Sequence, residues 1–68
     1  MSTSSVTVTG MTCDHCVSSV TEEISELPGV TAVNVDLTTG KVVIDSTTDL
    51  DPSDVAGAVE EAGYSVAG

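Results

Sequence analysis

Two cysteines three positions apart, Cys13 and Cys16, are the side chains of this sequence best suited to chemistry. Such a CxxC pair serves either of two ends: its thiolates hold a soft metal ion, or its thiols exchange electrons as a dithiol and disulfide. Two thiolates are a poor complement for Zn²⁺, which takes four tetrahedral ligands, whereas soft sulfur ligands suit Cu(I). A d¹⁰ monovalent ion is satisfied by two nearly collinear sulfurs. The chain has one histidine and no further cysteine, so one molecule cannot build a Cys₄ or Cys₂His₂ zinc site, although a dimer could share two CxxC pairs. A two-coordinate ion on an exposed loop also leaves room for an incoming thiolate, which favours transfer over storage.

The elements that position these cysteines can be read from periodicity. After a polar Ser/Thr start, Val6 and Val8 alternate with Thr7 and Thr9, the pattern of a short half-buried strand that Gly10 ends. Val17, Val20, Ile24 and Leu27 then fall on one face of a helix, with Ser18, Ser19, Glu22, Glu23 and Glu26 toward water, and Pro28-Gly29 stops it. Cys13 therefore falls on the loop and Cys16 in the first helical turn. There, free backbone N–H groups and the helix dipole favour thiolate over thiol, and a bound cation adds to this. Asp14 opposes it through a charge that water screens.

Val33, Val35 and Leu37 alternate with Asn34 and Asp36, Thr38-Thr39-Gly40-Lys41 reads as a turn, and Val42 and Ile44 follow, so this stretch is a β-hairpin. Asp51 before Pro52, with Asp54 beyond, marks the start of a second helix whose inner face is Val55, Val59 and Ala62. Gly63 supplies its left-handed cap, and Tyr64–Ala67 form a last short strand. The order is βαββαβ. It predicts an α+β, ferredoxin-like sandwich: a four-stranded antiparallel sheet with two helices on one face.

Composition narrows the function classes. The 68 residues suffice for one domain, taken as 1–68, with a thin core, since a domain of this size buries only ~60% of its unfolded surface. Tyr64 is the only aromatic residue. Eleven carboxylates against Lys41 alone give a formal net charge of −10, which repels phosphate backbones and anionic lipid. Nucleic acid is thus not an expected partner, and a protein partner is expected to present a basic surface. No basic leader and no window of ~20 apolar residues appear, so no membrane insertion is expected and the expected location is cytoplasmic. In that reducing compartment a CxxC pair reads as a metal or redox site rather than a structural disulfide.

At Gly10-Met11-Thr12-Cys13-Asp14-His15-Cys16 the sequence resembles the GMxCxxC signature of the heavy-metal-associated domain family, which includes copper chaperones and the N-terminal domains of copper-transporting P-type ATPases. The resemblance continues at Leu27-Pro28-Gly29-Val30, Val33-Asn34-Val35, Gly40-Lys41-Val42 and Gly63-Tyr64, covering nearly the whole chain. It implies the βαββαβ fold, Cu(I) at Cys13 and Cys16, and delivery of copper to a membrane ATPase by direct thiolate exchange. It implies that Met11 tucks into the core and anchors the metal loop, a thioether ligand being the alternative. Tyr64 occupies a position where bacterial members carry a tyrosine near that loop; either its hydroxyl orients or shields a thiolate, or its ring covers the core edge. His15, between the cysteines, is expected to face solvent as a surface or docking residue, with a third-ligand role in a dimer as its metal-binding alternative. Thr12 stands where members selective for zinc or cadmium often place an acidic residue, which favours Cu(I). The chain departs from the lysine-bearing members of the family, and their mode of docking does not carry over.

The sequence thus reads as a free-standing, non-enzymatic Cu(I) chaperone that serves the metal-binding domain of a copper-transporting P-type ATPase, as a monomer or a copper-bridged homodimer. Two alternatives use the same residues: a regulatory or acceptor domain of a heavy-metal transporter, and a dithiol redox protein. Against the redox reading stand the short chain and the lack of a tryptophan beside the cysteines.

Overall fold

The computed structural model describes residues 1–12 and 14–67. In chain order the elements are β1 (Ser2–Thr9), α1 (Asp14–Ser25), β2 (Val30–Asp36), β3 (Lys41–Ser46), α2 (Pro52–Glu61) and β4 (Ser65–Val66). The strands form one sheet in the order β2-β3-β1-β4, and every neighbouring pair is antiparallel. Each helix therefore crosses over a strand belonging to the other half, which is the ferredoxin-like arrangement expected from the element order.

Register decides which side chains meet the helices. Val6 stands opposite Val42 and Val42 opposite Val35; Ile44 stands opposite Val33, and Val8 opposite Val66. Residues directly opposite one another share a face, so these valines and Ile44 line one side of the sheet. Val8, Val42 and Ile44 join Val20 and Ile24 of α1 and Val55, Ala58 and Val59 of α2 in one buried cluster. A single cluster fed by both helices requires both to lie on that face. On the other face, Thr3, Ser5 and Thr7 stand opposite Asp45, Val43 and Lys41. A β-bulge separates the Val30–Ser46 and Ala32–Asp45 pairs, two residues of β2 against one of β3. It turns Val30 onto the core face, where it packs with Val33 and Val35; regular pairing would have put it on the side of Ala32.

Several boundaries differ from the sequence expectation. β1 begins at Ser2 rather than Val6, because Ser2–Ser5 pair with Ser46–Val43 through the backbone, which needs no apolar side chain. Two of their hydroxyls also find partners: Ser2 donates to Asp49, and Thr3 to Asp45 Oδ1 at 3.0 Å. α1 ends at Ser25, ahead of Pro28, and its exit tightens into three-residue turns, Glu26 N to Glu23 O at 3.3 Å and Leu27 N to Ile24 O at 3.0 Å. Leu27 still packs on the core from beyond the helix, while Val17 is only half-buried. In α2 the inner stripe is Val55, Ala58 and Val59, with Ala62 only partly covered as the helix ends. The hairpin loop is Leu37–Gly40, with Lys41 opening β3, and β4 contains only Ser65 and Val66.

The start of α2 follows the expected chemistry. Asp51 has extended backbone angles, and its Oδ1 accepts from Ser53 N at 2.9 Å and Ser53 Oγ at 2.7 Å, with Pro52 the first helical residue. The Ser53 hydroxyl, followed by its N–H, holds the Asp51 carboxyl below the usual range. Asp36 at the hairpin is lowered in the same way, first by the Thr38 hydroxyl and then by the Thr38 N–H. At the end of that hairpin Gly40, with φ +77°, is packed on β1: Val8 N donates to Gly40 O at 2.8 Å, and a Cβ on Gly40 would lie 2.5 Å from Val8 O. The hairpin turn thus clamps the strand that leads into the cysteine loop. Among the described residues no helix is long and apolar enough to cross a membrane.

Candidate metal centre

β1 delivers the chain to Gly10, whose φ of +91° turns it out of the sheet. Met11 is partly buried and packs against the core. Thr12 is exposed. α1 then opens at Asp14, and Cys16 is its third residue, half-buried within the first turn. Backbone N–H groups in a first turn have no intrahelical acceptor, and the positive end of the helix dipole lies there, so the place of Cys16 suits an anionic sulfur. Cys13 lies outside the described residues, and its pairing with Cys16 rests on the sequence.

Tyr64 reaches the same end of the molecule from α2 through the helix cap. Gly63, with φ +93°, donates its N–H to Glu60 O at 2.9 Å, and Tyr64 N donates to Val59 O at 3.1 Å. These two bonds are the paired closure of a Schellman motif, in which the residue after the glycine folds back on the helix. The Tyr64 ring is consequently half-buried against the core, and a methyl group placed on Gly10 would meet its Cδ1 at 3.4 Å. The ring therefore lies beside Gly10, where the chain leaves β1 for α1.

His15 and Asp14 are both exposed. Among the described residues no three His, Cys, Asp or Glu side chains converge on a common point. One relation went unnoticed in the sequence: Thr12 Oγ1 lies 3.9 Å from Cys16 Sγ, with either atom able to donate. The signal available was the four-residue spacing across a helix start, which brings a residue of the loop over the first turn.

Charge is concentrated on the helices. The carboxylates of Glu26, then Glu61 and Glu22, push the Glu23 carboxyl above its usual range, with some desolvation between the first and second of these. Glu61 belongs to α2 and the other three to α1 or its exit, so the repulsion spans the two helices. Neither helix has a basic residue in its last turn.

Comparison with known proteins gives a consistent picture. The model of the family described as the heavy-metal-associated domain matches residues 5–65. The copper chaperone CopZ of Bacillus subtilis is 46% identical over 61 residues, covering 88% of this chain and 88% of its own. Copper-transporting ATPase 2 of Rhizobium meliloti is 39% identical over 57 residues, 84% of this chain but 7% of the ATPase. A solved CopZ metallochaperone has a TM-score of 0.90 at 33% identity, covering 97% of this chain and 100% of that one.

Proposed function

This chain belongs to the heavy-metal-associated domain family, and on that footing we propose that it is a cytoplasmic copper chaperone whose Cys13 and Cys16 thiolates hold one Cu(I) ion. The observation that carries the proposal is the placement of Cys16 in the first turn of α1, behind a loop where Met11 packs on the core and Tyr64 lies beside Gly10, in a chain aligned along most of its length with a copper chaperone. Cys13 supplies the second sulfur from the loop. Two thiolates and no acidic side chain at Thr12 favour Cu(I) over Zn²⁺.

The receiver is the metal-binding domain of a copper-transporting P-type ATPase, and the match to a short part of such an ATPase supports two partners of the same fold. Transfer is ligand exchange: a partner thiolate forms a copper–sulfur bond, then one of the two original bonds breaks, and no electron moves. The departing sulfur takes up a proton or remains a thiolate. The protein's part is to keep both sulfurs anionic and at the surface, so no catalytic residue is needed. Copper also allows a homodimer in which a second copy supplies the incoming sulfur. The same ATPase match supports the second reading, an acceptor or regulatory domain within a transporter.

An anaerobic Cu(I) titration of the reduced protein against a chelator tests the proposal, with Zn²⁺ and the Cys13→Ser and Cys16→Ser variants in parallel. One tightly bound Cu(I), lost in either variant and outcompeting Zn²⁺, is the expected result. Zinc preference, or binding indifferent to the cysteines, would overturn it, and disulfide-reductase turnover abolished by Cys13→Ser would favour the dithiol reading.

A further inference from the structure

We infer that the open edge of β1 at Thr3 and Ser5 is a docking site for an extended, basic segment of a partner protein, which adds to the sheet as a further strand. The inference is independent of the copper reading and concerns the end of β1 remote from the cysteine loop. β1 has eight residues, Ser2–Thr9, whereas β4 has two, which pair with Val8 and Thr9. The direction of backbone bonding alternates along a strand, and two bonds fix it here. Val8 N donates on the β3 side, to Gly40 O at 2.8 Å, and Thr7 O accepts from Ala67 N at 2.7 Å on the β4 side. The N–H and C=O groups of Thr3 and Ser5 point the same way as those of Thr7, and among the described residues no strand lies against them.

Sheet edges are ordinarily blunted by charge, proline or a bulge. β2, at the other side of the sheet, has both a bulge and Asp36. β1 has none of these: its residues carry no charge and no proline, and its pairing with β3 is regular. An edge left in this state suits strand addition, in which backbone bonds bind and side chains select. Charge then selects the occupant. Ser2 donates to Asp49 and Thr3 to Asp45 Oδ1 at 3.0 Å, which puts two carboxylates at the Ser2 end of the edge. The only Lys or Arg side chain of the molecule, Lys41, stands opposite Thr7 at the other end. A second copy would bring its own net charge of −10 to this edge and be repelled. A strand antiparallel to β1 and in line with β4, with lysine or arginine toward its C-terminal end, meets the carboxylates and keeps clear of Lys41.

The test is amide NMR of the reduced, metal-free full chain with the synthetic peptide acetyl-VTVKVK-amide. In the free protein the Thr3 and Ser5 amides should exchange with deuterium roughly tenfold or more faster than those of Ser4 and Val6, which bond to β3. Saturating peptide should slow Thr3 and Ser5 roughly tenfold and centre the shift changes on the first half of β1. Asp45→Asn with Asp49→Asn should weaken binding roughly two- to fivefold, a difference that high salt removes. A peptide of the same charge with proline at alternate positions lacks the row of N–H donors and should leave Thr3 and Ser5 exchange unchanged. Five outcomes would each overturn the inference: Thr3 and Ser5 already protected in the free chain, no response at millimolar peptide, shift changes spread over the glutamates of α1 and α2, an equal response to the proline peptide, or self-association through this edge in place of peptide binding.

Discussion

Replacing Gly40 by alanine tests how the hairpin holds the strand that feeds the cysteine loop. The residue has φ +77°, where an alanine loses about 1–2 kcal/mol to its own backbone. Its new Cβ would also lie 2.5 Å from Val8 O, well inside contact distance. The obstacle is backbone in the centre of the sheet, so it yields only if β1 and the turn separate. That movement stretches the 2.8 Å bond from Val8 N to Gly40 O, worth about 0.5–1.5 kcal/mol. The summed loss is about 1.5–3.5 kcal/mol, against about 3–10 kcal/mol for a domain of this length. Thermal unfolding followed by circular dichroism should show a melting temperature lower by about 6–28 °C. Gly57→Ala is the internal control: nothing lies within 4 Å of its added Cβ and it sits in α2, so it should stabilise by about 0.5–1 kcal/mol. A Gly40→Ala protein within about 1 kcal/mol of wild type, with Gly57→Ala behaving as stated, would refute the clamp and show that the turn remodels without disturbing β1.

Core, charge and cap give further predictions. Ile44→Ala empties a fully buried site between the sheet and helices, and urea unfolding should register a loss of about 2–5 kcal/mol, enough to leave part of the population unfolded at 37 °C. Added salt should raise the melting temperature, and Glu23→Gln should raise it at low salt and flatten the salt dependence, because the repulsion from Glu26, Glu61 and Glu22 is then absent. The same carboxyl titrates above its usual value of 4.5 in the fold, so its charge works against folding at neutral pH; mild acidification toward that value should stabilise wild type but not Glu23→Gln. Asp51 has the opposite sign: its folded value lies below 3.8, so its contribution is present above that value and disappears as pH falls through the folded one. Asp51→Ala should lower the melting temperature at neutral pH, with the difference from wild type vanishing in strong acid.

The sequence by itself determined what depends on local preference and on residue chemistry. Alternation at Val33 and Val35, helical spacing at Val20 and Ile24, and the Asp51-Pro52 start each act within a few residues, so the element order and the fold class were legible. The place of Cys16 was legible too, because the helical spacing of Val17, Val20 and Ile24 puts it in a first turn. Tertiary structure alone decided what depends on partners distant in sequence. Ser2–Ser5 become strand because β3 offers them backbone partners, which their polar side chains do not announce. Val30 faces the core because of a bulge that no periodicity reveals. Ala58 is buried because α2 presents that flank to the sheet, although alanine gives little hydrophobic signal. The Schellman closure at Gly63 was legible as a cap, yet only the packed structure shows that it lays Tyr64 over Gly10. Local rules act through bonded neighbours, whereas a binding site is assembled across the gap between elements, where the distances are set by packing.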